Sequence, residues 1–275
     1  MGHTVWVNGS LVAKGEPAIT AFDHGLTVGD GVFETTRITT GVPYALTRHL
    51  LRLRNSAQGL GLPEPDLDLV RRGITEVIEA NATSSGVLRV TYTAGVAPLG
   101  SGRGDRSPTL IMAIGPAPPP ERQVSTVTVP WPRNERGALA GLKTTSYAEH
   151  VRMLARAHAA GADEAIMANT VGNLCEGTST NVFVGIDGEL ITPPCSAGVL
   201  PGITRALVLE WVGAKEMDLP LSILETADEI LLTSSVRGVR PLRQVDDRRL
   251  AQVPGPLANA AMATYAERSS AHLDP

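Results

Sequence analysis

The chain contains three lysines, Lys14, Lys143 and Lys215, against 21 arginines. Where only a positive charge is needed this sequence writes arginine, so the lysine inside "LAGLKTTSYAEH" (residues 139–150) stands out. A guanidinium stays protonated at any workable pH, whereas a desolvated amine can lose its proton and attack a carbonyl carbon. Lys143 is therefore a candidate for imine formation and proton transfer, and a solvated loop lysine is the competing reading.

One cofactor that forms an imine with a lysine is pyridoxal 5'-phosphate. A protein using it must hold a dianionic phosphate and pair the pyridine nitrogen, usually with a carboxylate. In "LPGITRALVLEW", Pro201 and Gly202 open a helix whose first N–H groups lack intrahelical partners, with the Thr204 hydroxyl beside them. "LLTSSVRG" adds Ser234 and Ser235 at a strand end, and Arg52 in "RHLLRLRNSA" adds a fixed charge. In "NLCEGTSTNVF", Glu176 stands among small and apolar residues. A carboxylate there is costly unless paired, and a protonated ring nitrogen is such a partner. Each feature also has an ordinary reading: a plain helix start, strand-end serines, a solvated arginine, a turn glutamate.

The whole sequence narrows the class. Its 275 residues, 43% hydrophobic and 19% charged, fit one large or two moderate globular domains. A net charge of −4, without extended basic clusters, disfavours nucleic acid and anionic membranes as partners. The opening "MGHTVWVNGS" lacks the basic and apolar regions of a secretory signal, and no apolar stretch approaches transmembrane length. Cys175 and Cys195 form neither a CxxC pair nor a disulfide framework, which points to a reducing cytoplasm. The six histidines show no metal-ligand spacing, so no metal is expected, and Cys175 reads as packing.

The elements that must position these residues read as α+β. "TVWVNGSLVAKG" is a hairpin turning at Asn8-Gly9, and "GVFETTRITTGVPYAL" is a strand pair broken near Gly41. A helix over about 47–60, capped by Thr47, has Leu50, Leu53, Ala57 and Leu60 as its stripe, and a second covers about 66–80. Two strands then complete a domain over 1–115, and the Pro-rich residues 116–123 read as a linker to a larger domain, 124–275. There a helix runs from Ser146 to about Ala160, with Val151, Leu154 and Ala155 on one face and Ser146 and Glu149 at capping-box spacing. Short strands follow, then a helix over 202–213, the strand "ADEILLTSS" and a terminal helix near 256–269.

The ordered set "FDHGLTVGDGVFETTR", "RHLLRLRNSA", "LKTTSY", "GADEAIMAN", "LCEGTSTNVF", "TPPCSAGVLPGITR" and "ADEILLTSS" resembles the class-IV aminotransferase family. These are the fold-type IV pyridoxal-phosphate enzymes: branched-chain aminotransferases, D-amino-acid aminotransferases and aminodeoxychorismate lyases. The resemblance implies a small N-terminal α/β domain and a larger C-terminal mixed-sheet, barrel-like domain. It makes Lys143 the imine-forming lysine and Glu176 the partner of the pyridine nitrogen. It makes Arg52, Ile203, Thr204, Ser234 and Ser235 the phosphate cup. It also implies a homodimer in which the "FDHGLTVGDG" segment reaches the neighbouring active site.

Within the family, "LKTTSY" lacks the extra residue that branched-chain enzymes carry after the lysine, and Leu26 and Val28 stand where those enzymes usually have aromatics. The pattern is most similar to 4-amino-4-deoxychorismate lyases, which form 4-aminobenzoate and pyruvate. The alternative is an aminotransferase for D-amino acids, branched-chain amino acids or amines. Arg89 and Arg103 are candidate partners for substrate carboxylates, because planar forks suit them. Tyr147 is a further candidate beside the cofactor, or a staple for its helix.

Overall fold

A computed structural model describes residues 4–13, 15–104, 107–119 and 123–275; Lys14 and residues 120–122 of the Pro-rich run lie outside them. The chain forms two compact units. The first comprises Met1–Pro118, Leu142–Tyr147 and Leu273–Pro275; the second comprises Pro119–Gly141 and Ala148–His272. The linear division left residues 142–147 and 273–275 in the second domain, whereas both segments belong to the first unit.

In the first unit, β1 (Thr4–Val7) and β2 (Ser10–Ala13) form the hairpin. Asn8 and Gly9 take φ of 47° and 95°, the paired positive values of a turn whose twist matches its strands. A short helix α1 (His24–Thr27) is followed by β3 (Gly31–Thr39), β4 (Val42–Pro43), α2 (Leu46–Leu60), α3 (Leu67–Ala80), β5 (Ser85–Thr93) and β6 (Thr109–Gly115). The strands form one antiparallel sheet, ordered β2-β1-β6-β5-β3-β4. Alternation decides its faces. Val32, Ile38, Leu88, Val90 and Met112 pack with Trp6 against Leu50, Leu53 and Ala57 of α2 and Val70, Ile74 and Val77 of α3. Phe33 and Arg89, one residue out of step, point to the other face.

Thr47 does not cap α2. The N-cap is Ala45, left-handed and without a side-chain bond. Instead the Asp274 carboxylate accepts from the Thr47 N–H at 2.8 Å and the Thr47 hydroxyl at 2.6 Å. The cap comes from 227 residues away, out of reach of any local signal.

The second unit contains β7 (Val124–Thr128), α4 (Ala148–Ala159), β8 (Glu164–Ala168), β9 (Leu174–Gly177), β10 (Asn181–Ile186), β11 (Glu189–Thr192), α5 (Ile203–Val212), β12 (Lys215–Glu216), β13 (Glu229–Ser234), β14 (Gly238–Val245), β15 (Arg248–Arg249) and α6 (Pro256–Ala271). Six strands close on themselves: β10, β13, β14, β7, β8, β9 and back to β10, where Asn181 pairs with Glu176. This is the barrel-like sheet that the family resemblance implies. Val124, Ile166, Leu174, Val182, Val184, Ile230, Leu232 and Leu242 form one of its apolar cores. Two expectations change here. α4 starts at Ala148 and buries Met153 and Ala157, leaving Val151 65% exposed, because its stripe is one step away from the Val151–Leu154–Ala155 face. β14 was not anticipated: Pro241 argues against a strand, yet the ladder holds it opposite Leu231 and shifts register on its other side between Leu242 and Gln244. No helix among the described residues is long and apolar enough to cross a membrane. Both cysteines are free.

Candidate active site

The lysine-bearing segment is laid along the start of β3. The Phe33 N–H donates to the Lys143 carbonyl at 3.0 Å, and the Thr145 N–H to the Gly31 carbonyl at 2.8 Å. The Lys143 N–H donates to Ser56 Oγ of α2 at 3.2 Å. Leu142 packs where α2 presents Gly59; a Cβ there would lie 2.6 Å from Leu142 Cδ2, so a side chain at 59 would make the leucine shift. Gly29, at φ 71°, turns its carbonyl to accept the hydroxyls of Thr145 at 2.9 Å and Ser146 at 3.0 Å. Ser146 is thus a tether for the segment, not the cap of α4. Backbone bonds on both sides of position 143 fix where its side chain departs.

That side chain is half-buried. Its Nζ lies 3.4 Å from Tyr147 Oη and 4.4 Å from the Phe33 ring centroid. The two rings meet edge to face, 5.1 Å apart at 74°. The Arg89 guanidinium lies 3.7 Å from the same Phe33 centroid. Arg89 keeps open surface, but the packing around its head desolvates it and lowers its pKa from the usual arginine value, with Tyr147 opposing. Lys143, Tyr147 and Arg89 are therefore brought together around one aromatic ring.

Arg103 is not part of this group. Its Nε and Nη2 bond to Asp30, and Nη1 and Nη2 to the carbonyls of Gly61 and Leu60. A fork spent on these four oxygens is a loop tie, and the carboxylate-binding expectation for Arg103 is corrected accordingly. Asp30 also receives His24 Nδ1 at 2.9 Å, while His24 Nε2 reaches the Gly100 carbonyl at 2.8 Å. With an acceptor at each ring nitrogen, the Asp30 bond first and the Gly100 bond second raise the pKa of His24.

Arg52 has a specific setting as well. Its Nε and Nη2 donate to Glu34 Oε1 and Oε2 at 2.8 and 2.7 Å, and His49 Nδ1 lies 2.6 Å from Glu34 Oε2. All three residues are buried. Burial alone would raise the Glu34 carboxyl, but the Arg52 charge and hydrogen bonds, with those of His49, hold it at about 2 instead of 4.5. His49 is shifted down, chiefly by burial, with Arg52 and Lys143 also disfavouring its cation. In both cases the unfolded chain takes up protons more readily than the folded one. The stabilisation is present above each group's ordinary pKa and is lost as pH falls through its folded value, for Glu34 between about 4.5 and about 2. Glu34→Gln is accordingly expected to cost about 3 kcal/mol in denaturant titrations near neutral pH, because it leaves a buried guanidinium without its carboxylate. The gap should shrink steadily below about pH 4. A pH-independent gap would contradict this role for the triad.

In the second unit, Glu176 is buried in β9. Its Oε2 accepts the Leu200 N–H at 2.8 Å and Asn181 Nδ2 at 3.2 Å. The N-cap of α5 is Gly202, which gives no side-chain capping bond. Ile203 and Thr204 open that helix, both buried, and Thr204 Oγ1 is an orphan among the described residues. Thr233 Oγ1 is a second buried orphan, one residue before the half-buried Ser234 and Ser235; Ser234 Oγ accepts the Arg237 N–H at 3.2 Å. A buried hydroxyl without a partner is costly. One at an uncapped helix start is an arrangement that a phosphate completes, so the residues present fit that group. Burial pushes the neighbouring Cys175 thiol up, and its Sγ faces the Ala197 carbonyl at 3.4 Å, consistent with packing and not nucleophilic attack.

Residues 31–245 match the family model described as amino-transferase class IV. The chain belongs to the class IV aminotransferase family. It is 33% identical to a provisionally named branched-chain-amino-acid aminotransferase of Methanocaldococcus jannaschii, over 89% of this chain and 88% of that one. It is 30% identical to a bifunctional aminodeoxychorismate lyase and D-amino acid transaminase of Mycobacterium tuberculosis, over 91% and 93%. A solved structure of a hypothetical aminotransferase from Mycobacterium tuberculosis, in its PLP-bound form, is similar with a TM-score of 0.84 at 28% identity, covering 96% of this chain and 99% of that one. This class IV protein is a pyridoxal-phosphate-dependent enzyme, like an aminotransferase or an aminodeoxychorismate lyase.

Several residues of this class IV enzyme escaped the sequence reading. Glu34 and His49 were missed, although His49 and Arg52 share a helix face at i, i+3 spacing and Glu34 is the lone carboxylate in its strand. Phe33, the ring shared by Lys143 and Arg89, looked like one more apolar strand residue. Asn181 begins a strand, Thr233 is the penultimate residue of another, and neither gave a local signal.

Proposed function

We propose that the enzyme is a 4-amino-4-deoxychorismate lyase, which forms 4-aminobenzoate and pyruvate. The observation that carries this reading is the Arg89 guanidinium stacked on Phe33, whose ring also faces Lys143 Nζ. A substrate with an amine to be attached and carboxylates to be paired suits a lysine amine and a planar fork gathered around one buried ring. When bound, pyridoxal 5'-phosphate supplies the electron sink for the carbon that loses its proton. Lys143 Nζ takes that proton from the amine-bearing carbon, and Tyr147 Oη, 3.4 Å away, orients Nζ for the transfer. Departure of the enolpyruvyl group then leaves an aromatic ring. Glu176 would pair the pyridine nitrogen and favour its protonated form. Ile203, Thr204, Ser234 and Ser235 would hold the phosphate, with the Thr204 hydroxyl, without a partner among the described residues, as the main support for that assignment; Arg52 joins that cup on the family resemblance alone.

The second reading is transamination of D-amino acids, branched-chain amino acids or amines. It is favoured by the Mycobacterium tuberculosis relative, described as carrying both activities. Incubation with aminodeoxychorismate should release 4-aminobenzoate and pyruvate in equal amounts. Keto-acid exchange with an amino-donor panel, without any 4-aminobenzoate, would replace the lyase reading by the transaminase one.

We also infer a homodimer in a reducing cytoplasm. Phe22, Leu26 and Leu99 are more than half exposed, and their segments are joined by the Asp23–Val96 bridge, which makes an apolar patch in need of cover. A light-scattering mass of a single chain would reject the dimer.

A further inference from the structure

Asn181 occupies an unusual position in the second unit. It begins β10, is 5% exposed, and stands opposite Glu176 on one side and Thr233 on the other. Its Nδ2 donates to Glu176 Oε2 at 3.2 Å and to the Leu200 carbonyl at 2.9 Å. Both partners are acceptors, so the orientation of the amide is forced: Nδ2 faces them, and Oδ1 faces the other way. Leu200 in turn donates its N–H to the same Glu176 oxygen at 2.8 Å. Glu176, Asn181 and both backbone groups of Leu200 thus form a closed ring of three hydrogen bonds. Leu200 lies two residues before Gly202, the N-cap of α5.

The other side of the amide explains that N-cap. A Cβ placed at Gly202 would lie 2.0 Å from Asn181 Oδ1 and 3.1 Å from its Cγ. Gly202 has φ −67°, which any residue adopts, so backbone conformation does not demand glycine there. Space does, and Asn181 occupies it. The ring cannot accommodate a side chain at position 202 without moving the amide that grips Glu176.

We infer that Asn181 is a positioning residue that fixes the Glu176 carboxylate relative to the start of α5, and that Gly202 is glycine to leave room for it. This rests on the reading above, in which Glu176 pairs the pyridine nitrogen and the start of α5 holds the phosphate. The nitrogen belongs to the cofactor ring and the phosphate is attached to that ring through a short methylene-oxygen arm, so the protein must hold their receptors within the span that arm allows. Asn181 sets that separation through bonds to Glu176 and Leu200. Such orienting contacts commonly govern affinity as strongly as the groups they orient.

The test is a set of pyridoxal-phosphate dissociation constants, measured by absorbance and fluorescence titration of apoenzyme after checking the fold by circular dichroism. Gly202→Ala should weaken binding by about 10- to 100-fold in the native background. In the Asn181→Ala background, where the obstructing amide is gone, the same change should cost no more than about 3-fold, although Asn181→Ala alone weakens binding. Asn181→Asp keeps the shape but sets a second carboxylate against Glu176. Its affinity should recover as pH is lowered and one proton bridges the pair, a trend absent from the native enzyme and from a purely structural defect. Equal costs of Gly202→Ala in both backgrounds, or a pH-independent loss in Asn181→Asp, would overturn the inference. Glu176→Gln and Thr204→Val are the controls. If neither alters the dissociation constant, the underlying reading of the cofactor site fails, and the inference with it. If both do while Gly202→Ala and Asn181→Ala are additive, only the role of Asn181 fails.

Discussion

Lys143→Arg is expected to keep its fold and positive charge while losing at least about 10⁴-fold in turnover, since proton transfer alone contributes about 10²–10⁴ and covalent attachment is lost with it. The segment holding position 143 is fixed by backbone bonds to Phe33 and Ser56 and by the tethers of Thr145 and Ser146, none of which involves the lysine side chain. The Phe33 face that lies 4.4 Å from Nζ receives a guanidinium as readily as an ammonium. His49 would still feel a nearby cation, so the surrounding electrostatics change little. What arginine cannot supply is a neutral nitrogen with a lone pair. The measurement is single-turnover kinetics alongside a thermal melt. Residual turnover within about 10-fold of native would show that Lys143 is dispensable for proton transfer.

Glu176→Gln is expected to cost about 10²- to 10³-fold in turnover, the range for removing one preorganised charge from a water-excluded site. The amide keeps a hydrogen-bonding oxygen for the Leu200 N–H, which reaches the carboxylate at 2.8 Å, so the local fold should survive. It cannot hold a proton on the pyridine nitrogen by charge, because the charge is gone. The loss should therefore fall on kcat more than on KM for the substrate. A kcat within about 3-fold of native would remove Glu176 from the account.

Lys143 stood out in the sequence as a candidate because the chain otherwise favours arginine. The hairpin at Asn8-Gly9 was legible because its turn demands two positive φ values. What escaped was non-local. Asp274 caps α2 from the far end of the chain, so Thr47 looked like the cap in its absence. Ser146 had the spacing of a capping box, but its hydroxyl is drawn to Gly29, 117 residues away. Arg103 was a candidate because a planar fork suits a carboxylate; the Asp30 carboxylate that claims it lies 73 residues earlier. Gly202 read as an ordinary helix start, and only the three-dimensional neighbourhood shows the amide that excludes a side chain there. Local chemistry and the family resemblance nominated the candidate residues. Their supports came from contacts between distant segments.

The central claim is that Lys143 carries the cofactor, and borohydride reduction of the purified enzyme with pyridoxal 5'-phosphate, followed by peptide mass mapping, tests it most directly. Only Lys14, Lys143 and Lys215 can compete for the label, apart from the chain's amino terminus. The account predicts a stoichiometric phosphopyridoxyl adduct on the peptide containing Lys143 and none in Lys143→Arg. An unlabelled Lys143, or a label confined to Lys14 or Lys215, would contradict it.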